Sequence, residues 1–207
     1  MSLDFISAEL KARDRDIWLA IHYAEARRRP ALIALFALEC EFAHVAASTT
    51  EAMVGEIRMA WWREALCGLD QGKVPAQPLL VLLAEYAVPN DVQGADLALL
   101  EDRWLGMIGD EPVPQSHVEG GGTLFALAAR LLGGNEELGR QLGEAWGRGD
   151  DWGGDAAGLP RVPSSLRPLL GLVRLSARDR AAAKDAPPEP RGSLARQWQL
   201  LRAVAFG

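Results

Sequence analysis

Apolar residues recur at three- and four-residue intervals along nearly the whole chain, interrupted by proline, glycine and helix-capping residues. That period predicts helices throughout. Ile17, Ile21 and Ala24, with Trp18, fall on one face of a first helix, starting at Asp4 or Asp14 and running to about Arg28. Pro30 stops it and opens the next. The second helix, about Pro30 to Ala47, is apolar nearly all round between Ala31 and Leu38, the pattern of a buried central helix. Ser48-Thr49-Thr50 predicts the cap of a third helix, about Glu51 to Leu69. A short fourth covers Leu79 to Ala87. A fifth starts at Asn90 and Asp91 and carries Leu97, Leu100, Trp104 and Ile108 at helical spacing. Ser116 and Glu119 have capping-box spacing for a helix to Leu132. Gly133-Gly134 closes that helix, and Asn135 opens another to about Trp146. Gly147 to Pro163 reads as a long loop. A helix then runs to about Ala183, residues 187–192 form a linker, and Ser193 caps a last helix ending at Phe206. The expectation is an all-α, single-domain bundle of seven to nine helices over residues 1–207.

Composition strengthens the helical reading. The chain holds 33 Ala and 31 Leu against 20 Val, Ile and Thr together; the β-branched residues that favour strands are scarce. A net charge of −6 argues against nucleic acid, which needs a concentrated basic surface. The cluster Arg27-Arg28-Arg29 is expected at a solvated helix C-terminus. Cys40 and Cys67 lie in apolar helical surroundings, which predicts buried thiols. With a charged N-terminus unlike a signal peptide, they point to a reducing cytoplasm, with or without peripheral membrane contact. No apolar run is expected to reach the roughly 18–20 residues that span a bilayer.

Three groups of residues offer chemistry. Glu39 and Glu41 interrupt the apolar second helix, and a buried carboxylate needs a partner. Arg58 and Arg63, around Trp61-Trp62 on the third helix, are the expected partners or co-lining bases of a polar cavity. Glu41 with His44, and His22 with Glu25, share helix faces at spacing three. A di-iron site needs more ligands than three histidines in this order supply. Asp151 and Asp155 stand four apart and suit a hard cation such as Mg²⁺, although Gly153-Gly154 weakens a helix there. Gly120-Gly121-Gly122 lies inside a helical pattern and follows no strand, so it is not a dinucleotide fingerprint.

Two blocks resemble the squalene/phytoene synthase family: Pro30-Ala31-Leu32-Ile33-Ala34-Leu35-Phe36-Ala37-Leu38-Glu39-Cys40-Glu41-Phe42-Ala43 and Gly55-Glu56-Ile57-Arg58-Met59-Ala60-Trp61-Trp62-Arg63-Glu64-Ala65-Leu66. Weaker echoes are Leu124 to Gly133, Leu142-Gly143-Glu144-Ala145 and Leu166-Arg167-Pro168-Leu169-Leu170. The resemblance implies an isoprenoid-synthase-like fold around a central cavity. In active members, aspartate-rich motifs on two walls hold Mg²⁺ ions that grip prenyl diphosphates. The segment in place of the first motif, Ala43-His44-Val45-Ala46-Ala47, has no carboxylate, and Asp151 to Asp155 stands near the second. Glu39 shares a face with Ala43 and Ala47, while Glu41 points elsewhere. The resemblance therefore implies a catalytically degenerate member without a cofactor. Such a protein would bind a prenyl diphosphate or other lipid in its cavity, or a protein partner, as in the subgroup containing a respiratory complex I assembly factor. The alternative is a Mg²⁺-dependent prenyltransferase condensing prenyl diphosphates through Asp151, Asp155, Glu39 and Glu41.

Overall fold

In the computed structural model, residues 3–49, 51–108, 114–152, 161–182 and 187–207 are described. The chain forms α1 (Leu3–Arg13), α2 (Arg15–His22), α3 (Arg29–Ser48), α4 (Ala52–Leu69), α5 (Pro78–Leu82), α6 (Gly94–Ala98), α7 (Asp102–Leu105), α8 (Pro114–Leu131), α9 (Glu136–Arg148), α10 (Arg167–Ala181) and α11 (Leu194–Phe206). No strand occurs among the described residues. The helices outnumber the seven to nine expected because two expected helices are divided. The first breaks at Asp14, whose carboxylate accepts from the backbone N–H groups of Asp16 and Ile17 at 3.0 Å and so starts α2 afresh. The fifth starts late because Asp91 adopts φ 62°; it begins at Gly94 behind a Gln93–Asp96 capping box. A 3₁₀ turn, Leu99–Glu101, then separates α6 from α7.

Helix α3 is the axis of the bundle. Ala31 to Glu39, Phe42 and Val45 are all buried in it, and α1, α2, α4, α5, α7 and α8 pack around it. Fully burying a side chain of the size of Phe36 or Phe42 contributes about 1.5–3 kcal/mol. With the turn before it, Ala26–Ser48 is long and apolar enough to cross a membrane by length and composition, against the expectation of no such run. Most of that segment is packed inside the fold. Arg27 and Arg28 end a 3₁₀ turn, Ala26–Arg28, that leads into α3 at Arg29, rather than ending the first helix, which stops at His22; Arg27 is paired with Glu25 at 2.8 Å.

Helices α8 and α9 form the tightest pair. Asn135 caps α9 by accepting from the Leu138 N–H at 2.7 Å. A Cβ on Gly143 would overlap the Gly121 carbonyl oxygen, so only glycine lets the two backbones meet. Helix α10 packs on α9 and α2, and α11 lies on α10 and α2. Three local expectations fail. Glu51, not the serine-threonine run, precedes α4, and Thr49 Oγ1 instead donates to the Val45 carbonyl at 2.6 Å. Ser116 and Glu119 lie inside α8 rather than capping it. Cys40 and Cys67 are free and half-buried rather than fully buried.

Candidate site around the Glu39–Arg103 pair

The most unusual polar group in the core is on α3. Glu39 is 3% exposed, and its Oε1 accepts from Arg103 Nε at 2.7 Å. Arg103 arrives from α7 because the preceding 3₁₀ turn rephases the chain, burying Leu100, Glu101 and Arg103 and leaving Leu99 and Asp102 outside. Gly120 and Gly121 make room for it on α8. Side chains there would collide with the Arg103 stem and its Nη1. The guanidinium carbon lies 4.7 Å from the Trp146 ring centroid and 5.4 Å from that of Trp104, within cation–π range. Arg103 Nη1 also donates to the His117 carbonyl.

Around this cation three buried polar atoms lack hydrogen-bond partners among the described residues: Glu39 Oε2, Trp104 Nε1 and His117 Nδ1. Burial, and secondarily the Arg103 charge, lowers the His117 pKa from its usual 6.5 to about 4. His117 is therefore neutral at physiological pH. A cavity of about 210 Å³ adjoins the cluster, lined by Arg103, His117 and Trp146 and by Asp16, Asp179 and Arg191. Its carboxylates are already paired. Arg196, 1% exposed, donates through Nε to Asp16 Oδ2 at 2.7 Å and through Nη2 to Asp179 Oδ2 at 3.0 Å. Asp16 also accepts from the Gly192 N–H at 2.7 Å. The cavity is smaller than the roughly 300–1,000 Å³ of ordinary ligand pockets.

The residues expected to act together are separated. Glu41 faces away from Glu39 and pairs with Arg13 at 2.9 Å. Arg58 reaches the Ser48 hydroxyl at 3.4 Å. Arg63 pairs with Glu101, a buried carboxylate whose pKa burial raises against that arginine's charge. The expected Glu–Arg contacts between α3 and α4 are thus replaced by contacts to α1 and to the segment 99–105. The reason is local: Arg63 sits on the exposed side of α4, while Arg103 enters the core beside Glu39. Ala43 is half-buried and Ala47 and His44 are exposed. Asp151 is exposed and lines a hollow of about 250 Å³ with Trp152, Arg174, Gln199 and Arg202. Asp155 lies outside the described residues. Among the described residues no three His, Cys, Asp or Glu side chains form a metal-holding group. Arg103, Glu101, His117, Asp16 and Arg196 escaped the sequence reading, although three consecutive glycines inside a helix signalled that something large lies against α8.

Residues 10–102 match the family model for squalene/phytoene synthase. No curated protein and no solved structure matches the chain. The matched segment runs from the end of α1 through α3 and α4 to the first residue of α7, so it includes Glu39 and stops one residue short of Arg103. The all-helical architecture of the described residues is consistent with the isoprenoid-synthase-like fold of that family.

Proposed function

We propose that this squalene/phytoene synthase domain protein has given up diphosphate chemistry and acts by binding, as an assembly factor or a lipid- or isoprenoid-binding scaffold. The observation that carries the reading is the Glu39–Arg103 pair. Glu39 is the one acid on the face that Ala43 and Ala47 share, and its charge is committed to a buried guanidinium. A diphosphate clamp through Mg²⁺ needs uncommitted carboxylates on two walls. The rival reading, Mg²⁺-dependent condensation of prenyl diphosphates, needs Asp151 and Asp155 to work opposite Glu39. Asp151 instead shares its hollow with two arginines, surroundings that favour an anion over a cation.

The exterior of α4 favours a protein partner over a lipid held in the core. Met53, Ile57 and Trp61 are exposed at spacing four and form an apolar stripe, while Trp62 turns inward against Phe42. A hollow of about 420 Å³ beside Trp61 extends the stripe to Pro75. Exposed aromatic residues on such a stripe are the usual anchors of an interface. The test is thermal unfolding with farnesyl diphosphate, with and without Mg²⁺. A ligand at a hundred times its dissociation constant adds about 2.7 kcal/mol of stability. The expected result is no Mg²⁺-dependent rise in melting temperature; such a rise would return the prenyltransferase reading to first place.

A further inference from the structure

The charge of this chain is divided along its length. Residues 161–207 hold nine Lys and Arg against three Asp and Glu, although the whole chain carries −6. This basic region forms α10 and α11, and α11 contains no acid at all. The inner side of α11 is accounted for by Arg196, Leu200 and Ala203, all buried. Its outer side is apolar: Leu194 is 85% exposed, Trp198 61% and Phe206 81%, with Leu201 also exposed between them. Leu194, Trp198 and Leu201 follow one another at helical spacing and make a stripe, and Phe206 extends its flank four residues beyond Arg202. Arg202 stands in the stripe and meets Arg174 of α10 in the hollow of about 250 Å³ that Gln199, Trp152 and Asp151 complete. Neither arginine has an acidic partner among the described residues, unlike Arg178, Arg191 and Arg196.

We propose that the α10–α11 face docks on an anionic lipid membrane, with the stripe of α11 lying at the headgroup–acyl boundary and Arg174 and Arg202 taking lipid phosphates. An amphipathic helix with aromatic and leucine residues outward and arginines at its flank binds such surfaces through apolar burial plus charge. Charge complementarity selects this occupant. A second copy of the chain would bring the same arginines together, and like charges across an interface repel. The α4 stripe is different: its flanks are mixed, with Glu51, Glu56 and Glu64 beside Arg58 and Arg63, and so give an anionic surface no net attraction. This inference stands whether or not the cavity near Glu39 retains chemistry.

The experiment is sedimentation of the full chain with vesicles of mixed phosphatidylglycerol and phosphatidylcholine, and of phosphatidylcholine alone. The protein sediments with the anionic vesicles, and added salt releases it. Trp198→Ser weakens binding by roughly tenfold and Arg202→Gln by about fivefold. Leu99→Ser, an exposed apolar change on a different element, leaves it unchanged. All three positions are exposed, so unaltered circular dichroism melts show that the variants fold. Failure to sediment with anionic vesicles overturns the proposal, as does binding that Leu99→Ser weakens as much as Trp198→Ser. Self-association in solution that Trp198→Ser abolishes, without vesicle binding, would assign the face to a second copy instead.

Discussion

Replacing Arg103 by Met tests whether the Glu39–Arg103 pair organises the core. Methionine fills much of the arginine stem's volume between Gly120, Trp104 and Trp146, so little cavity forms and the main effect is electrical. Glu39, 3% exposed, is left as a buried carboxylate without a cation. Breaking a buried pair from one side costs about 3–5 kcal/mol, and the lost cation–π contacts add roughly 1 kcal/mol. For a chain of this length, each 1 kcal/mol moves the melting temperature by about 2–4 °C, so Arg103→Met should lower it by about 10 °C or more. The double variant Glu39→Leu, Arg103→Met removes both charges and should lie within about 1–2 kcal/mol of the parent. Urea unfolding followed by circular dichroism at neutral pH measures both. A single variant no less stable than the double would refute the reasoning, because Glu39 would then not depend on Arg103.

Three further outcomes follow from the same geometry. Gly143→Ala drives a methyl group into the Gly121 carbonyl and must part α8 from α9, at a cost of roughly 2–3 kcal/mol in urea unfolding. His117 has a folded pKa of about 4 against 6.5 for the free group, so the unfolded chain takes up its proton first as pH falls. Its contribution is complete above pH 6.5 and lost toward pH 4. That contribution is about 1–2 kcal/mol after allowance for partial exposure, and His117→Phe should flatten this part of a stability-versus-pH curve. Arg196→Met leaves Asp16 and Asp179 with only the more exposed of their two shared cations, Arg191, and should loosen α11 first, seen as faster amide exchange over 194–206 than over α3.

Helices whose signals are local were legible in the sequence. The all-round apolar run of α3 announced a central helix, and Asn135 and Ser193 announced the starts of α9 and α11 through side chains that accept from N–H groups three residues on. Trp61 and Trp62, adjacent and therefore about 100° apart on the helix, divide between solvent and core. Asp14 was one of the two starts that the pattern offered, and it caps α2; the delay of α6 to Gly94 and the 3₁₀ turn at Leu99–Glu101 were missed because the apolar spacing continues through both. The partners of Glu39 were missed for a different reason. Arg103 lies 64 positions away, on a single-turn helix whose phase is reset by a 3₁₀ turn, so no periodicity places it in the core. Its only trace was the glycine run on α8, which clears space for a side chain rather than for a cofactor. The Asp16–Arg196 contact spans 180 positions and is likewise a product of tertiary packing.

The claim that the family's diphosphate chemistry is gone is tested most directly by pyrophosphate release from farnesyl diphosphate and from geranylgeranyl diphosphate, with Mg²⁺ present, by the purified full chain. The account predicts release no faster than without protein, and the same for Asp151→Asn and Glu39→Gln. Mg²⁺-dependent release above that background, lost in either variant, would contradict it and make these acids catalytic.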